Sequence, residues 1–513
     1  MARPRPKTPA KPASPALDTI AVFNPATGEE VGAVPATSPA GVAEAVGRAR
    51  AAQRRWAERS VADRAAVVRR FHDALLDEAD RVLDTMQRET GKTRRDALGE
   101  LLTVAGTARY YVTHGEGHLK ERRRHATLPG LTSARVIHKP LGVCGLITPW
   151  NYPLHLPVGD ALPALLAGNA VVVKPSELTP LSVEIGREIL IASGLHPDLY
   201  QLVHGEGPTL GPELIRQVDY IGFTGSDATG RKVAVAAGER LIPFSLELGG
   251  KNPMIVLADA PLEDAVTGFI TGAFANSGQT CIAVERVFVE RPLFERYAEA
   301  VAERVRGLEV GFSLDFDKDI GSMISEDHAT KVWSHVEDAV GKGATVLAGG
   351  ERREDLGPAF VAPTVFTGTT PEMKLACDET FGPVVSIEPV ESAEEAIELA
   401  NATRFGLNAS VWGGDTDRAL RVARRLETGT AGVNSTLLVY NTFDVPMGGV
   451  KDSGLGRRHG EHGILRYTQE QSLVESFATG GGYEALLVRT NTPRKARALI
   501  QAFRLWRKVP FLR

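Results

Sequence analysis

Disulfide scaffolds and membrane spans are excluded by what this chain has little of. Its 513 residues include only three cysteines, too few and odd in number for a disulfide framework, which favours a reducing compartment. No stretch reaches the roughly 18 uninterrupted apolar residues of a membrane span. The first 16 residues are basic and proline-rich, without the apolar stretch that a secretory signal needs. We therefore expect a cytoplasmic protein with a disordered tail over residues 1–17.

An excess of charge of one sign is also lacking. The chain has 59 Lys and Arg against 63 Asp and Glu, a net charge of −4, which excludes attraction of the whole chain to nucleic acid. The sequence contains no C-x-x-C pair and no histidine cluster, so no metal site is expected. The remaining class of partner is a small molecule.

Helical and strand-like patterns succeed one another along the chain. From residue 39 to about 115, apolar residues recur at helical spacing, which predicts a helical N-terminal segment. Short β-branched runs between helical stretches then predict two α/β units with parallel sheets and a cleft between them. The expected strands are residues 142–148, 170–174, 199–203 and 220–224 in the first unit, and 252–257, 286–290 and 405–412 in the second.

Cys281 is the sharpest candidate for chemistry. It ends the segment Asn-Ser-Gly-Gln-Thr-Cys, whose small polar residues are unusual around a structural cysteine. We expect Ser277 and Gly278 to leave room for a ligand beside a nucleophilic thiol; the alternative is an inert core cysteine. Cys144 lies in an apolar run and is expected in the core. Cys377 precedes two acidic residues, which disfavour a thiolate.

Two further polar residues stand where stability alone would not place them. Glu247 lies in an otherwise apolar strand pattern that ends in two glycines. Burial raises a carboxyl pKa toward neutrality, which suits a general base acting on water; an ion pair with Lys251 is the alternative. Asn151 stands between Pro149 and Pro153, which stiffen the backbone and make its amide a fixed hydrogen-bond donor. The alternative for Asn151 is a plain turn.

Seven segments in order resemble the NAD(P)-dependent aldehyde dehydrogenase superfamily, over about residues 18–475. The separation of 34 residues between Glu247 and Cys281 also matches that family. Residues 244–254 and 452–460 are most similar to actinobacterial chains labelled succinate-semialdehyde dehydrogenases. The segments are Pro-Trp-Asn-Tyr-Pro (149–153), Lys-Pro-Ser-Glu (174–177), Phe-Thr-Gly-Ser (223–226), Glu-Leu-Gly-Gly (247–250), Gly-Gln-Thr-Cys (278–281), Glu-Thr-Phe-Gly-Pro (379–383) and the glycine-rich run 446–454.

The resemblance implies a fold of the α/β class. It combines a Rossmann-type nucleotide-binding domain, an α/β catalytic domain and a small oligomerisation element with strands near residues 133–139 and 471–475. It also implies a homodimer or homotetramer. The expected domains are residues 18–122 and 141–249 for NAD binding, 250–449 for catalysis, 123–140 and 466–476 for oligomerisation, and 477–513 for a basic C-terminal extension.

The family's chemistry assigns one role to each candidate. The Cys281 thiolate attacks the aldehyde carbon, and the Asn151 amide and the Cys281 backbone N–H stabilise the oxyanion. Hydride passes to the nicotinamide and leaves a thioester. Water activated by Glu247 hydrolyses that thioester to the carboxylic acid.

The cofactor implied by the resemblance is NAD, with NADP possible but less preferred. Residues 205–211 imitate a dinucleotide fingerprint with the wrong glycine spacing. The family instead places the pyrophosphate where the strand at residues 220–224 meets a helix N-terminus. The Glu177 carboxylate, beside the adenosine ribose, would repel a 2′-phosphate, which predicts the preference for NAD. The expected cofactor-binding residues are Thr148, Pro149, Trp150, Lys174, Ser176, Glu177, Gly225, Ser226, Gly230, Leu248, Gly249, Glu379 and Phe381.

The substrate is expected to be an aromatic or a medium-to-long aliphatic aldehyde. The semialdehyde enzymes of the family carry an arginine eight residues after the oxyanion asparagine, where this chain has Gly159 followed by Asp160. The cation for a substrate carboxylate is therefore missing, and the mouth segment at residues 437–443 is mostly apolar. The alternatives are a succinate-semialdehyde dehydrogenase, a CoA-acylating enzyme, which should lack a deacylating carboxylate such as Glu247, and a non-catalytic binding protein of the same fold.

The C-terminal extension differs in charge from the rest of the chain. Residues 484–513 contain eight Arg or Lys and a single acid, and helical spacing of apolar residues predicts a basic amphipathic helix. Such a helix can lie on an anionic membrane surface; docking on the protein's own acidic surface or on a neighbouring subunit is the preferred alternative. The apolar positions are Leu499, Ala502, Phe503, Trp506 and Val509, and the cations are Arg494, Lys495, Arg497, Arg504, Arg507 and Lys508.

Overall fold

The structure is a computed structural model that describes residues 19–126, 132–477 and 482–506; the tail expected over residues 1–17 lies outside them. In chain order its α-helices are α1 (Pro39–Ala57), α2 (Val61–Asp77), α3 (Ala79–Thr90), α4 (Arg94–Leu119), α5 (Ala161–Leu166), α6 (Leu181–Ala192), α7 (Gly207–Gln217), α8 (Asp227–Glu239), α9 (Leu262–Phe274), α10 (Arg291–Arg306), α11 (Glu326–Gly341), α12 (Lys374–Cys377), α13 (Ala393–Asn401), α14 (Thr416–Ala423), α15 (Leu438–Asn441), α16 (Gly460–Leu465), α17 (Gly482–Arg489) and α18 (Pro493–Trp506).

The strands follow the same chain order. They are β1 (Thr19–Phe23), β2 (Glu30–Pro35), β3 (Arg122–Arg124), β4 (Thr132–Pro140), β5 (Val143–Ile147), β6 (Ala170–Lys174), β7 (Tyr200–Leu202), β8 (Tyr220–Thr224), β9 (Phe244–Glu247), β10 (Asn252–Val256), β11 (Val284–Glu290), β12 (Thr345–Ala348), β13 (Thr364–Thr367), β14 (Val384–Val390), β15 (Phe405–Gly406), β16 (Ser410–Trp412), β17 (Gly432–Val433), β18 (Val450–Lys451), β19 (Gly454–Leu455) and β20 (Thr468–Ser476). A π-helical turn spans His155–Gly159, and 3-10 turns span Pro197–Leu199 and Ala275–Gly278.

Side-chain caps begin the long N-terminal helices. Ser38, Ser60 and Thr93 each accept a hydrogen bond from a backbone N–H in the first turn of α1, α2 and α4, which satisfies donors that a helix start leaves free. Gly91, with a φ of 71°, ends α3 in the left-handed conformation that glycine adopts without strain. The helical pattern predicted from residue 39 onward is confirmed, as four helices that reach Leu119.

The first large sheet has six strands in the order β19-β9-β8-β5-β6-β7. Strands β5 to β9 are parallel, and the side chains of β5, β6 and β8 are almost entirely buried, as in sheets covered by helices on both faces. Thr224 and Glu247 are register partners at the C-terminal ends of β8 and β9. The four strands predicted for the first unit are confirmed to within one residue at each end.

The second large sheet has seven strands in the order β12-β13-β14-β11-β10-β16-β17 and is parallel except for β12. Its central strands β10 and β11 are fully buried. The prediction of one strand over residues 405–412 is wrong, because β15 pairs with β18 outside this sheet while β16 joins it. The break lies at Asn408, whose N–H donates to Asn252 Oδ1 at 3.0 Å and so leaves the strand ladder.

A three-stranded antiparallel sheet in the order β20-β4-β3 completes the fold. Strands β4 and β20 pair over nine residues, from Ser476 opposite Thr132 to Thr468 opposite Pro140, which confirms the strands predicted near residues 133–139 and 471–475. Strand β20 is an edge strand with exposed side chains. Its Val474 is 75% exposed, so apolar surface is open along this edge.

Helix α18 confirms the helix predicted in the C-terminal extension as far as Trp506; Arg507, Lys508 and Val509 lie outside the described residues. Ile500 is 54% exposed, and the α18 cations Arg494, Lys495, Arg497 and Arg504 are exposed. Across the described ranges, every helix is too short or too polar to cross a bilayer.

Candidate active site

One cavity of about 590 Å³ lies where the C-terminal ends of β8 and β9 meet the loop before β11. Cys281, Glu247 and Asn151, the residues predicted to carry chemistry, all line it. The predicted cofactor residues that also line it are Pro149, Trp150, Gly225, Ser226, Leu248, Gly249, Glu379 and Phe381; those that do not are Thr148, Lys174, Ser176, Glu177 and Gly230.

The loop that carries Cys281 has an unusual backbone. Asn276, Ser277 and Gly278 have φ values of 53°, 57° and 73°, a left-handed run that non-glycine residues rarely adopt. The expectation that Ser277 and Gly278 make room for a ligand is wrong. A Cβ on Gly278 would lie 2.3 Å from the Gly382 carbonyl oxygen, and the Ser277 hydroxyl donates to Gly321 O at 3.1 Å. The small side chains therefore admit neighbouring backbone, which fixes the loop.

The Cys281 thiol is partly buried at one wall of the cavity. Burial raises the pKa of Cys281 to about 12, the nearby Glu247 adds to the rise, and the positive charge of Arg458 opposes both effects. The Cys281 carbonyl accepts a hydrogen bond of 2.9 Å from Asn252 Nδ2. Because a thiol of such high pKa is protonated at neutral pH, its reaction as a nucleophile requires a base.

Glu247 ends β9 and is 6% exposed. Burial raises the pKa of Glu247 to about 7, against the lowering effect of Arg458, which confirms the shift predicted from the apolar strand pattern. Its Oε1 has no hydrogen-bond partner within the described structure. The alternative ion pair is wrong, because Lys251 is buried against Glu285 instead.

Hydrogen bonds fix both the backbone and the side chain of Asn151. The Asn151 carbonyl accepts hydrogen bonds from Lys92 Nζ at 2.9 Å and from Asn276 Nδ2 at 3.1 Å. Its own Nδ2 donates to Gln279 O at 2.9 Å, which leaves one of its two amide hydrogens for a ligand. Lys92 pairs with the buried Glu100 at 2.7 Å. This network fixes the amide as expected, although Lys92 and Glu100 belong to none of the predicted motifs.

The segment that carries Phe381 is fixed by a buried carboxylate that the sequence analysis missed. Glu285 accepts hydrogen bonds of 3.0 Å from the Thr380 N–H and 3.1 Å from the Phe381 N–H. Phe381 has a φ of 56°, and its ring packs edge-to-face on Trp150 with centroids 5.6 Å apart. Glu379 Oε1 accepts from the Gly250 N–H at 2.9 Å, next to the strand end that carries Glu247.

The sequence profile of the aldehyde dehydrogenase family matches residues 12–473. The chain belongs to the aldehyde dehydrogenase family. It is 48% identical over 451 residues to the putative succinate-semialdehyde dehydrogenase (NADP+) of Mycolicibacterium smegmatis, an alignment that covers 88% of this chain and 87% of the relative.

Solved aldehyde dehydrogenases share the fold. The succinate-semialdehyde dehydrogenase from Burkholderia pseudomallei is 36% identical, with a TM-score of 0.86 over 90% of this chain and 95% of that one. A betaine aldehyde dehydrogenase from Staphylococcus aureus, crystallised with NAD+, is 31% identical, with a TM-score of 0.85 over 90% and 94%. The predicted α/β fold is thus confirmed, and the protein is an NAD(P)-dependent aldehyde dehydrogenase, an oxidoreductase.

The residues at the ends of β6 and β8 fit the dinucleotide that aldehyde dehydrogenases use. Strand β8 leads directly into α8, whose first turn is capped by Ser226, and free N–H groups at such a helix start bind phosphate. The Thr148 hydroxyl is buried without a hydrogen-bond partner among the described residues. Lys174 is buried and its Nζ lies 2.9 Å from Glu177 Oε2, whose side chain is 40% exposed. A Cβ on Gly230 would lie 2.6 Å from the Leu248 side chain, so this glycine lets α8 pack closely on Leu248.

Sequence reasoning missed a charged wall of this aldehyde dehydrogenase cavity. Arg458 lines the cavity and is 4% exposed, and its Nη2 lies 2.9 Å from Asp160 Oδ2. Gly159, the position expected to lack an arginine, has no room for one, since a Cβ there would lie 2.8 Å from the His155 ring. Asp160 lies in an apolar run and Arg458 in a glycine-rich segment. Neither residue indicates a functional site in the sequence, because their pairing is visible only in the fold.

Proposed function

We propose that this aldehyde dehydrogenase oxidises succinate semialdehyde, or a semialdehyde of similar size, to the dicarboxylic acid. The observation that carries the chemistry is that Cys281, Glu247 and Asn151 line one cavity. The printed names of the Mycolicibacterium smegmatis and Burkholderia pseudomallei relatives support the substrate. Because of these names, we prefer a semialdehyde to the aromatic or medium-to-long aliphatic aldehyde that the missing arginine and the apolar mouth segment predict.

Cys281 is the nucleophile in this proposal. Its Sγ bonds to the aldehyde carbon as a thiolate, after the thiol proton passes to solvent water. Asn151 Nδ2 and the Cys281 N–H donate hydrogen bonds to the aldehyde oxygen as it becomes negative. The product of this step is a thiohemiacetal on Cys281.

Glu247 is the base of the second half of the reaction, with a pKa of about 7. NAD(P), when bound, supplies the acceptor for the hydride that leaves the thiohemiacetal carbon. Glu247 then takes a proton from water, the water oxygen bonds to the thioester carbon, and the bond from that carbon to Sγ breaks. The proton passes from Glu247 to the departing Sγ, which restores the ionised base. The carboxylic acid leaves and Cys281 is regenerated. A deacylating base argues against the CoA-acylating alternative, and three intact reactive groups argue against a non-catalytic protein.

Arg95 is the cation that we assign to the substrate carboxylate. Within the described residues, the cations that line the cavity are Arg95, Lys331 and Arg458. Arg458 is buried and paired with Asp160. The charge of Lys331 acts on the Glu379 carboxylate and lowers its pKa. The Arg95 side chain is 64% exposed and its Nη1 donates to Asp319 Oδ1 at 3.0 Å. Because an exposed ion pair of this kind is weak, a substrate carboxylate can replace Asp319 as its partner.

Succinate semialdehyde and butanal make a matched pair, because a carboxylate replaces the terminal methyl group. We expect kcat/KM to be at least about tenfold higher for the semialdehyde, which is about 1.4 kcal/mol of differential binding. Arg95→Gln should remove this difference and leave butanal turnover unchanged. Equal kcat/KM values for the two substrates in the native enzyme would contradict the assignment.

An apolar aldehyde is the second candidate because much of the cavity wall is apolar. Leu156, Phe274, Leu437, Tyr440 and Met447 all line it, which suits an aromatic or aliphatic chain. Hexanal and benzaldehyde belong in the same series of kcat/KM measurements. A higher value for either of them than for succinate semialdehyde selects this candidate.

Two observations oppose the predicted preference for NAD over NADP. Glu177 predicts NAD, but Lys174 pairs with its carboxylate at 2.9 Å and reduces its repulsion of a 2′-phosphate. The Mycolicibacterium smegmatis relative is named for NADP+. We propose that the enzyme uses both dinucleotides and that Glu177 sets their ratio.

The domain division and the assembly are also proposals. We assign residues 18–122 and 141–249 to cofactor binding and residues 250–449 to catalysis. We assign the three-stranded sheet to the interface of a homodimer or homotetramer, and we place the enzyme in the cytoplasm. The exposed edge of β20, with Val474 at 75% and Phe477 at 56% exposure, supports such an interface. Light scattering should report an oligomer for the native chain and a smaller species for Val474→Lys. A native monomer would contradict the interface.

Weak contact with an anionic membrane surface is proposed for α18. The exposed cations of the helix flank exposed apolar residues such as Ile500 and Leu505, a pattern that binds acidic headgroups. Full-length protein should cosediment with anionic liposomes at low salt and stay in solution with neutral ones. The triple variant Arg494→Glu, Arg497→Glu, Arg504→Glu should lose this binding. If the native chain stays in solution with anionic liposomes, docking on a protein surface is the remaining explanation.

A further inference from the structure

Arg458 is a buried cation at the catalytic cavity that the proposed mechanism does not use. Its Nη2 donates to Thr224 Oγ1 at 2.7 Å and lies 2.9 Å from Asp160 Oδ2. Its Nε is buried without a hydrogen-bond partner among the described residues. Arg466 approaches the other oxygen of Asp160, at 3.2 Å. One carboxylate thus holds two guanidinium groups.

Two contacts place this cation beside the Glu247 carboxylate. Thr224, which accepts from Arg458, is the register partner of Glu247 across β8 and β9, and both residues line the cavity. The Arg458 backbone exchanges two hydrogen bonds with Met447, of 2.6 and 2.9 Å. The next residue, Gly448, lies so close to Glu247 that a Cβ on it would be 3.1 Å from Glu247 Oε1. Arg458 is therefore held near Glu247 in two ways, by its side chain through Thr224 and by its backbone through Met447.

The charges of this buried group do not balance without Glu247. Arg458 and Arg466 contribute two positive charges, and Asp160 contributes one negative charge. Buried charges need compensation in a medium of low dielectric constant. An ionised Glu247 supplies the missing negative charge, whereas a protonated Glu247 leaves a buried positive charge in excess.

We propose that Arg458 is a positioning residue whose fixed charge, held by Asp160 and Thr224, keeps the Glu247 carboxylate ionised beside Cys281. This inference rests on the proposed roles of Cys281 and Glu247. Without Arg458, burial alone would keep Glu247 protonated at neutral pH, and the base would be lost for most of the enzyme molecules. Asp160 has the opposite effect, since it offsets one of the two arginines.

Other ionisable groups near Glu247 do not replace this charge. Arg466 also lowers the Glu247 pKa, but Asp160 raises it and offsets that effect. Arg457, on the same segment, is partly exposed and donates to Gly449 O and Gly456 O. Burial lowers the pKa of His155 to about 4 and that of His459 to about 3, so both rings are neutral in the working pH range. Burial also raises the pKa of Tyr440 far above that range.

The test is the pH profile of thioester hydrolysis with substitutions of opposite sign. Arg458→Gln should move the acid limb upward by about one pH unit, and Asp160→Asn should move it downward, because each removes one charge near the carboxylate. Arg458→Lys keeps the charge and should keep the limb near its native position. Arg425→Gln is the matched control, since Arg425 forms an exposed ion pair with Glu394 at 3.3 Å.

A second readout needs neither aldehyde nor cofactor. The rate of Cys281 alkylation by iodoacetamide reports its thiolate, which the Arg458 charge also favours. At pH 8 we expect Arg458→Gln to react several-fold more slowly than the native enzyme, and Arg425→Gln to react at the native rate. The double variant Asp160→Asn, Arg458→Gln removes both members of the 2.9 Å pair, while Arg466 keeps its 2.6 Å hydrogen bond to the Tyr467 hydroxyl. It is measured in place of the single variant if that variant fails to fold.

The outcomes separate this inference from the function on which it rests. If Glu247→Gln still turns over, the proposed base is wrong. If Glu247→Gln stalls but the Arg458→Gln and Asp160→Asn limbs coincide with the native limb, the base stands and the positioning role of Arg458 is wrong. Shifts in opposite directions for the two variants support the proposal, since a merely structural role would move both profiles alike.

Discussion

Two regions differ in how their charged groups are balanced: the floor of the cavity, formed by Cys281, Glu247 and Arg458, and the cofactor end, formed by the Lys174 and Glu177 pair at the end of β6. At the floor, Glu247 is buried, its pKa is raised to about 7, and its Oε1 has no partner in the described part of the chain. At the cofactor end, the Lys174 ammonium and the Glu177 carboxylate pair at 2.9 Å, and Glu177 is 40% exposed. The proposed reaction thus assigns reactivity to an unbalanced buried group and cofactor selection to a paired group near solvent.

This difference predicts two kinds of failure. A substitution at the floor removes a group that nothing replaces, so it changes the rate of a chemical step. A substitution at the cofactor end changes an interaction already weakened by solvent and by a partner, so it changes the choice between ligands.

Loss of Cys281 or Glu247 should have the largest effect and should separate the two halves of the reaction. Cys281→Ala should abolish NADH formation. Glu247→Gln should give one stoichiometric burst of NADH and then stall, because the thioester cannot be hydrolysed without the base. Rapid-quench kinetics with mass spectrometry should detect the acyl-enzyme.

Cys281→Ala is the control for the Glu247→Gln burst. Acyl-enzyme should accumulate on Cys281 in Glu247→Gln and should not be detectable in Cys281→Ala. Continued full turnover of Glu247→Gln would remove Glu247 from the mechanism and would erase the contrast between the floor and the cofactor end.

Substitution of Asn151 should have the next largest effect. Asn151→Ala removes one oxyanion donor and should lower kcat by about 10²- to 10³-fold. Lys92→Met leaves Asn151 in place but removes the 2.9 Å hydrogen bond to its carbonyl and unpairs the buried Glu100. We expect a smaller loss of kcat together with a lower Tm, because a lone buried carboxylate costs about 3–5 kcal/mol. A native kcat in Asn151→Ala would show that the oxyanion is stabilised elsewhere.

Most of the fold could be predicted because its signals are local. Parallel strands buried on both faces form continuous β-branched runs, and those at residues 170–174 and 220–224 match β6 and β8. The strand predicted over residues 405–412 failed because its interruption depends on a hydrogen bond between Asn408 and Asn252, which are far apart in sequence. Local periodicity does not contain that information.

The candidate site was predictable only in part for the same reason. Cys281 and Glu247 stood out because each residue type conflicts with its local pattern. Lys92, Asp160 and Arg458 conflict with no local rule, and their roles arise from buried partners in other parts of the chain. Supporting residues of this kind become visible only when the chain is folded.

The pH dependence should show the buried state of Glu247. A base with a pKa of about 7 is ionised above that pH, so the deacylation rate should fall about tenfold per pH unit below it. Single-turnover hydrolysis of the acyl-enzyme between pH 5 and pH 9 measures this limb. Burial also raises the Glu379 pKa to about 7, so Glu379→Gln is the control. The limb should survive in this variant if Glu379 binds the cofactor, as we propose, and does not act as the base. An acid limb near pH 4.5 would mean that Glu247 is solvated during deacylation.

The smallest effect is expected at the cofactor end, where Glu177→Gln should change selection without changing the chemical step. Removal of the exposed carboxylate releases Lys174 from its 2.9 Å ion pair and leaves a cation that attracts the 2′-phosphate of NADP. The ratio of kcat/KM for NADP to that for NAD should rise by about tenfold or less, since a half-exposed pair is weak. The burst amplitude and the pH limb should stay native. A large loss of kcat with both cofactors would show that the Lys174 and Glu177 pair supports the chemistry, and that the two regions are not separate.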